Sequence, residues 1–171
     1  MEKIYICSDV HNDYFAFQSF IEKARENPMI ICGDLTPSSQ NFSTIFSQLN
    51  NDLYMVKGNC DNAYDFSIAN INIPARIRIE NFFDKNVLIT HGDIIKNPSQ
   101  SPIELKCGDI FISGHTHVPQ LYTDDNGVII LNPGSLSRPR GKFDSSYATL
   151  DKDKIEIRTL KKDHLILTLS F

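Results

Sequence analysis

Short runs of Ile, Val, Leu and aromatic residues punctuate the chain at Lys3–Cys7, Met29–Cys32, Leu53–Val56, Asn86–Thr90, Ile110–Ser113 and Val128–Leu131, and each predicts a strand. Met-Ile-Ile-Cys and Val-Ile-Ile-Leu are apolar throughout, as strands covered on both faces tend to be. Between the early runs the period lengthens. Phe15, Phe17, Phe20, Ile21 and Ala24 predict a helix over Phe15–Arg25 that stops before Pro28, and Phe42, Ile45, Phe46 and Leu49 predict another over Phe42–Leu49. A β-α-β-α-β order implies parallel strands joined by crossover helices.

Farther along, Ile71, Ile73, Ala75, Ile77 and Ile79 alternate with Arg76, Arg78 and Glu80, which predicts a half-buried strand over Ile71–Ile79 with Pro74 at an edge or bulge. The last third contains turn-forming stretches, Asp-Asp-Asn-Gly, Gly-Lys-Phe-Asp and Asp-Lys-Asp-Lys, between strand-like segments. Leu150–Leu160 and His164–Phe171 predict a hairpin. With no repeat, low-complexity segment or flexible linker, the expectation is one α/β domain over residues 1–171, with a mixed sheet or two stacked sheets.

Composition narrows the function. The 171 residues are 41% hydrophobic and 22% charged, ordinary globular usage, and can bury a core without covalent staples. A net charge of −4 argues against a broad nucleic-acid or anionic-membrane surface, so any phosphate must meet a local positive centre. No apolar run approaches a membrane span, and the first residues lack the features of a secretory signal. Cys7, Cys32, Cys60 and Cys107 are far apart, with no C-x-x-C pair. They are read as reduced thiols of a cytoplasmic protein, which makes the Asn41-Phe42-Ser43 sequon irrelevant. Cys7, Cys32 and Cys107 are expected to pack in the core, and His164 to lie on the surface.

The remaining polar residues of note follow the strand-like runs: Asp9 and His11, then Gly33-Asp34, then Gly58-Asn59-Cys60-Asp61, then His91-Gly92-Asp93, then Gly114-His115-Thr116-His117. Parallel strands deliver such residues to one crevice. Asp9 and His11, like His115 and His117, are two apart, and in extended backbone such pairs point the same way. A lone Gly-Asp is usually a turn, and a lone His usually packs or hydrogen-bonds. Five such elements in succession favour metal binding. Imidazoles, carboxylates and one amide oxygen suit Mn²⁺, Fe²⁺ or Zn²⁺. Asp9, His11, Asp34, Asn59, His91, His115 and His117 make seven candidate ligands, too many for one catalytic ion and suited to two that share a carboxylate.

Asp-x-His, Gly-Asp, Gly-Asn-x-Asp, a lone His after a strand, and Gly-His-x-His resemble, in that order, the signature of calcineurin-like metallophosphoesterases. Ser-Asp-x-His near the start, Gly-Asn-Cys-Asp, and Asn-Pro-Gly-Ser at Asn132–Ser135 are most similar to the small YfcE-type phosphodiesterase family. The resemblance implies a four-layer α/β/β/α sandwich of two mixed sheets flanked by helices. It also implies one ion held by Asp9, His11, Asp34 and His117, and another by Asp34, Asn59, His91 and His115. The implied activity is hydrolysis of a phosphodiester by a hydroxide bridging the two ions. Mn²⁺ is the expected ion, with Zn²⁺, Fe²⁺ or Ni²⁺ as alternatives.

Asn59, Cys60 and His91 are the candidates for catalysis. Cys60 stands where many relatives carry a His thought to protonate the leaving group, oriented by the next acid; its alternative role is a small buried space-filler. Asn12 stands where a Gly is common, and a slightly altered turn is expected. Arg138 is a candidate for substrate binding, with Arg140 beside it; a solvated loop or subunit contact is the competing reading. The expected partner is a small phosphodiester. Relatives are often dimers or tetramers, which leaves a homodimer or homotetramer open. Two other functions stay open: a scaffold similar to the retromer scaffold subunit, and a phosphomonoesterase.

Overall fold

Residues 3–171 are described in the computed structural model of the protein, and their strands form two sheets. The first runs in the order β11 (Leu165–Ser170), β10 (Lys154–Thr159), β9 (Ser146–Leu150), β1 (Ile4–Cys7), β2 (Met29–Cys32) and β3 (Leu53–Val56). β1, β2 and β3 are parallel, connected through α1 (Tyr14–Ala24) and α2 (Gln40–Gln48), and α3 (Ala63–Ile68) follows β3. The second sheet runs in the order β4 (Ile77–Phe82), β5 (Lys85–Thr90), β6 (Ile110–Ile112), β8 (Ile129–Asn132) and β7 (Gln120–Thr123), with β5, β6 and β8 parallel.

Strand alternation sorts the side chains into layers. Ile4, Ile6, Ile30 and Cys32 of the first sheet meet Val87, Ile89, Ile110, Ile112, Ile129 and Leu131 of the second in a core between the sheets. The intervening residues Cys7, Met29 and Ile31 face outward, where Phe17, Phe20 and Ala24 of α1 and Phe42 of α2 cover them. Fully burying an aromatic or aliphatic side chain contributes about 1.5–3 kcal/mol, so this aromatic layer anchors both helices. On the second sheet, Leu88, Phe111, Val128 and Ile130 face out toward Ile95 and Leu105. The cover there is a long loop whose one helical segment is the 3₁₀ turn Pro98–Gln100. The architecture is the expected pair of mixed sheets with helical flanks, the second flank being thin.

Several elements differ from the sequence expectation. Residues 71–76 are irregular, and the strand begins only at Ile77. Ile71 and Ile73 turn toward the helix-side core instead of alternating across a sheet, Pro74 lacks a ladder donor, and the Ala75 carbonyl accepts from the Lys57 amide. Leu150–Leu160 is not one strand. The Asp151 carboxylate accepts from the amides of Asp153 and Lys154, and this turn separates β9 from β10. β10 and β11 form the expected antiparallel hairpin. The short helix α3 left no periodic signal; the Asn62 side chain caps it by accepting from Asp65 N. His164 is exposed just before β11, and Cys107 is exposed instead of packed, because it lies on the turn before β6.

Candidate metal centre

The carboxyl ends of β1, β2, β3, β5 and β6 deliver the candidate ligands to one edge of the inter-sheet seam. The backbone ladder continues past the strands to hold them: Asp9 N donates to Gly33 O and His11 N to Asp34 O. Convergence does not come from extended backbone. Asp9, His11, Asp34, His115 and His117 all adopt left-handed conformations, with φ between 47° and 66°. Each costs a non-glycine residue about 1–2 kcal/mol, strain that the surrounding hydrogen bonds must hold in place. The His115 and His117 side chains consequently part company. His117 joins Asp9 and His11, whereas His115 stands edge-on to His91, with ring centroids 5.1 Å apart.

Around Asp9 the geometry calls for a cation. Asp9 is fully buried; its Oδ2 accepts from His115 N at 3.0 Å, and its Oδ1 has no hydrogen-bond partner among the described residues. Leaving a buried acceptor unsatisfied costs about 1–3 kcal/mol, and more when it is charged. That oxygen lies 3.2 Å from His117 Nε2 and 3.8 Å from His11 Nε2, and the two imidazole nitrogens are 3.3 Å apart. His117 Nδ1 donates to Arg138 O at 2.6 Å, which presents Nε2 to the centre. Ligands of one ion stand roughly 3 to 4 Å from one another, so these donors fit a divalent ion.

Asp34 and His91 form a second focus. His91 Nδ1 donates to Cys32 O at 2.8 Å, and Nε2 then faces two oxygens, Asn59 Oδ1 at 3.2 Å and Asp34 Oδ2 at 3.4 Å. A ring whose second nitrogen faces two acceptors must carry either a second proton or a cation there. Burial disfavours the extra proton, but the Asp34 hydrogen bond and charge outweigh it and push His91 up to about 9. Burial likewise would raise Asp34, but its contact with His91 and the Cys60 amide hold it well below the usual carboxylate range. Burial lowers His11, whereas the Asp9 carboxylate beside it raises His117 against its own desolvation. Asp34 Oδ2 is also 3.9 Å from His11 Nε2 and so faces both foci.

Cys60 is exposed, which removes the space-filling reading. Its amide donates to Asp34 Oδ1 at 2.8 Å, and partial desolvation in the cleft wall together with the Asp34 carboxylate pushes its thiol up to about 11. Arg138 and Arg140, both exposed, line a cleft of about 350 Å³ together with His11, Asp34, Asn59, Cys60, His115 and His117. Two broader hollows, about 650 Å³ beside Pro98–Cys107 and about 660 Å³ beside Ala63–Ile73, contain none of the ligand clusters, so donor chemistry locates the site and size does not.

Several supporting residues act in ways the sequence did not indicate. Asp61 is buried and accepts from the amides of Gly58, Asp34 and Thr36, at 2.8, 2.9 and 2.8 Å, tying the loops after β2 and β3 together. It therefore fixes Asp34 and does not orient residue 60. Ser135 and Ser137 hydroxyls donate to Asp9 O, and Asn132 Nδ2 donates to Gly114 O, which gives Asn-Pro-Gly-Ser its purpose. Asn12, at φ 62°, accepts from Ser38 N. A Cβ on Gly58 would lie 2.1 Å from Asp34 Oδ1, and one on Gly114 would lie 1.8 Å from Ser8 Oγ, so both backbones press against the site.

The chain matches the family model described as the calcineurin-like phosphoesterase superfamily domain over residues 2–154. It is 27% identical to phosphodiesterase YfcE of Escherichia coli, over 97% of this chain and 96% of that one. The structure of the E. coli YfcE phosphoesterase superposes with a TM-score of 0.84 at 24% identity, covering 98% of each chain. A Vps29 structure from Entamoeba histolytica, complexed with Zn²⁺, has the same fold at a TM-score of 0.67 and 17% identity, covering 98% of each chain.

Proposed function

Because this chain belongs to the calcineurin-like phosphoesterase superfamily, we propose that it is a phosphodiesterase working with two divalent ions. The observation that carries the reading is the buried, unpartnered Asp9 Oδ1 facing two imidazole nitrogens. Asp9, His11, Asp34 and His117 would hold one ion, and Asp34, Asn59, His91 and His115 the other, with Asp34 shared. Ions bound there supply an ionised water as nucleophile and neutralise charge on the phosphoryl oxygens. Mn²⁺ suits this oxygen- and nitrogen-rich set, with Zn²⁺, Fe²⁺ or Ni²⁺ as alternatives.

The chain's own groups do the rest. Cys32 O and Arg138 O fix the His91 and His117 rings with Nε2 inward. Arg138 and Arg140 offer forked donors to the phosphate's non-bridging oxygens at the cleft wall. In the metal-free chain partial desolvation and the Asp34 carboxylate push the Cys60 thiol up to about 11, which makes it a weak acid for an alkoxide leaving group. Substrates with stable leaving groups are therefore favoured, and a diester is favoured over a dianionic monoester because the latter demands more positive charge than a chain of net charge −4 offers. The fold shared with Vps29 supports a scaffold reading at the level of fold alone; seven filled donor positions favour catalysis.

Stripping the protein with chelator, reloading Mn²⁺ and comparing bis-p-nitrophenyl phosphate with p-nitrophenyl phosphate tests the proposal. Metal-dependent turnover of the diester, lost in Asp34→Asn, is the expected result. Inactivity with every divalent ion, despite two bound ions, would favour the scaffold.

A further inference from the structure

Among the described residues three donor groups stand within mutual reach at the centre, and they overlap. Asp9, His11 and His117 form one, Asp9, Asp34 and His91 another, and His11, Asp34 and Cys60 a third, each with ligand atoms within 4.8 Å of one another. The third differs in kind because it contains sulfur. We propose that His11, Asp34 and Cys60 form a site for thiophilic divalent ions such as Zn²⁺ or Cd²⁺, and that an ion held there displaces the catalytic arrangement.

Cys60 is placed by backbone and is not a loosely tethered side chain. Its amide is bonded to Asp34 Oδ1 at 2.8 Å, and Asn59 Nδ2 donates to its sulfur at 3.3 Å. A nitrogen, a carboxylate oxygen and a sulfur with solvent on the open side match a three-ligand zinc site that completes its tetrahedron with water. Asp9 Oδ1, buried, unpartnered among the described residues and 3.8 Å from His11 Nε2, adds negative charge beside the nitrogen donor of this group. A thiolate raises affinity for Zn²⁺ and Cd²⁺ and does little for Mn²⁺ or Mg²⁺. On binding, the S–H proton is released to solvent and sulfur joins the ion as thiolate.

Competition follows from the overlap. His11 also serves the group with Asp9 and His117, and Asp34 also serves the group with Asp9 and His91. An ion seated on Cys60 therefore draws one donor from each. Excess Zn²⁺ becomes an inhibitor of the Mn²⁺ enzyme, a consequence that rests on the phosphodiesterase reading, whereas the site itself rests on geometry.

The test titrates chelator-stripped full-length protein with Cd²⁺ and follows the ultraviolet thiolate-to-cadmium band in wild type, Cys60→Ser and Cys107→Ser. Cys107 is the other exposed thiol and lies outside the three groups, so it serves as the control. The band is expected in wild type and Cys107→Ser and absent in Cys60→Ser, with circular dichroism confirming that each variant is folded. In parallel, Zn²⁺ is titrated against each Mn²⁺-loaded protein, with rates normalised to that protein's own Mn²⁺ activity. Half-inhibition should need at least about tenfold more Zn²⁺ in Cys60→Ser. A band that survives Cys60→Ser, or none in wild type, overturns the site, and an unchanged Zn²⁺ requirement overturns the competition. Absence of turnover in every loaded form would overturn the phosphodiesterase reading and leave the band to judge the site.

Discussion

The two foci of the centre use similar donors and are built differently. Around Asp9 two of the three donors are enclosed, Asp9 at 0% exposed and His117 at 6%, and His11 is half-buried. Around His91 the inner groups are just as buried, with His91 at 0% and Asp34 at 2%, yet Asn59 and His115 are solvent-exposed. The enclosed focus is complete before an ion arrives, and its only defect is an unsatisfied oxygen that an ion would satisfy. At the open focus Asn59 already lies 3.2 Å from His91 Nε2, but the exposed His115 ring still has to be brought in, which costs side-chain freedom. Preorganisation therefore predicts one tightly held ion and one that exchanges.

The largest effect should come from the residue that belongs to both. Asp34→Asn is expected to lower phosphodiesterase turnover roughly 10³-fold; a loss no greater than that of a one-focus variant would break the shared role. Next, calorimetric Mn²⁺ titration should separate the foci. His117→Ala should weaken the tighter ion about 100-fold, and His115→Ala the weaker one only about 10-fold. Equal losses would erase the distinction.

Smaller still is the pH effect at the open focus. His91 titrates near 9 in the metal-free chain, above its ordinary 6.5. Its proton thus stabilises the metal-free fold fully below about 6.5, and that contribution disappears as pH rises through about 9. An ion needs the neutral ring, so affinity at this focus should climb across the same interval, with proton release visible in buffers of different ionisation enthalpy. A flat profile would mean that His91 lies outside the ion's reach. The smallest test concerns strain. His115 has φ 66° and an exposed side chain, so in metal-free protein His115→Gly should be about 1 kcal/mol more stable to urea than His115→Ala.

The strand ends announced themselves in the sequence because apolar runs stop abruptly at Asp, Asn or His. Met29–Cys32 and Leu53–Val56 match the observed strands residue for residue. How the ligands aim was not legible. Spacing by two suggests one shared direction, but the chain leaves the sheet in left-handed turns, and these separate His115 from His117. Nor could alternation at Ile71–Ile79 reveal that Ile71 and Ile73 belong to a different core from the strand that follows. Asp61 was visible as a motif position; that one carboxylate would gather three amides from two loops depends on distances no local pattern encodes. Cys107 reads as a buried residue type, and only its place on a turn exposes it.

Gly58 and Gly114 have no functional group, and the space a methyl would need beside them is already taken by Asp34 and by Ser8 and Asp9. In a saturation scan of the chain, these two positions should be as intolerant as the histidines. The substitutions they forbid would be graded by bulk, whereas those at the histidines would be graded by chemistry. Such a map would outline the centre from its backs as well as its faces, and a ranking of residues by reactive groups alone would overlook half of its boundary.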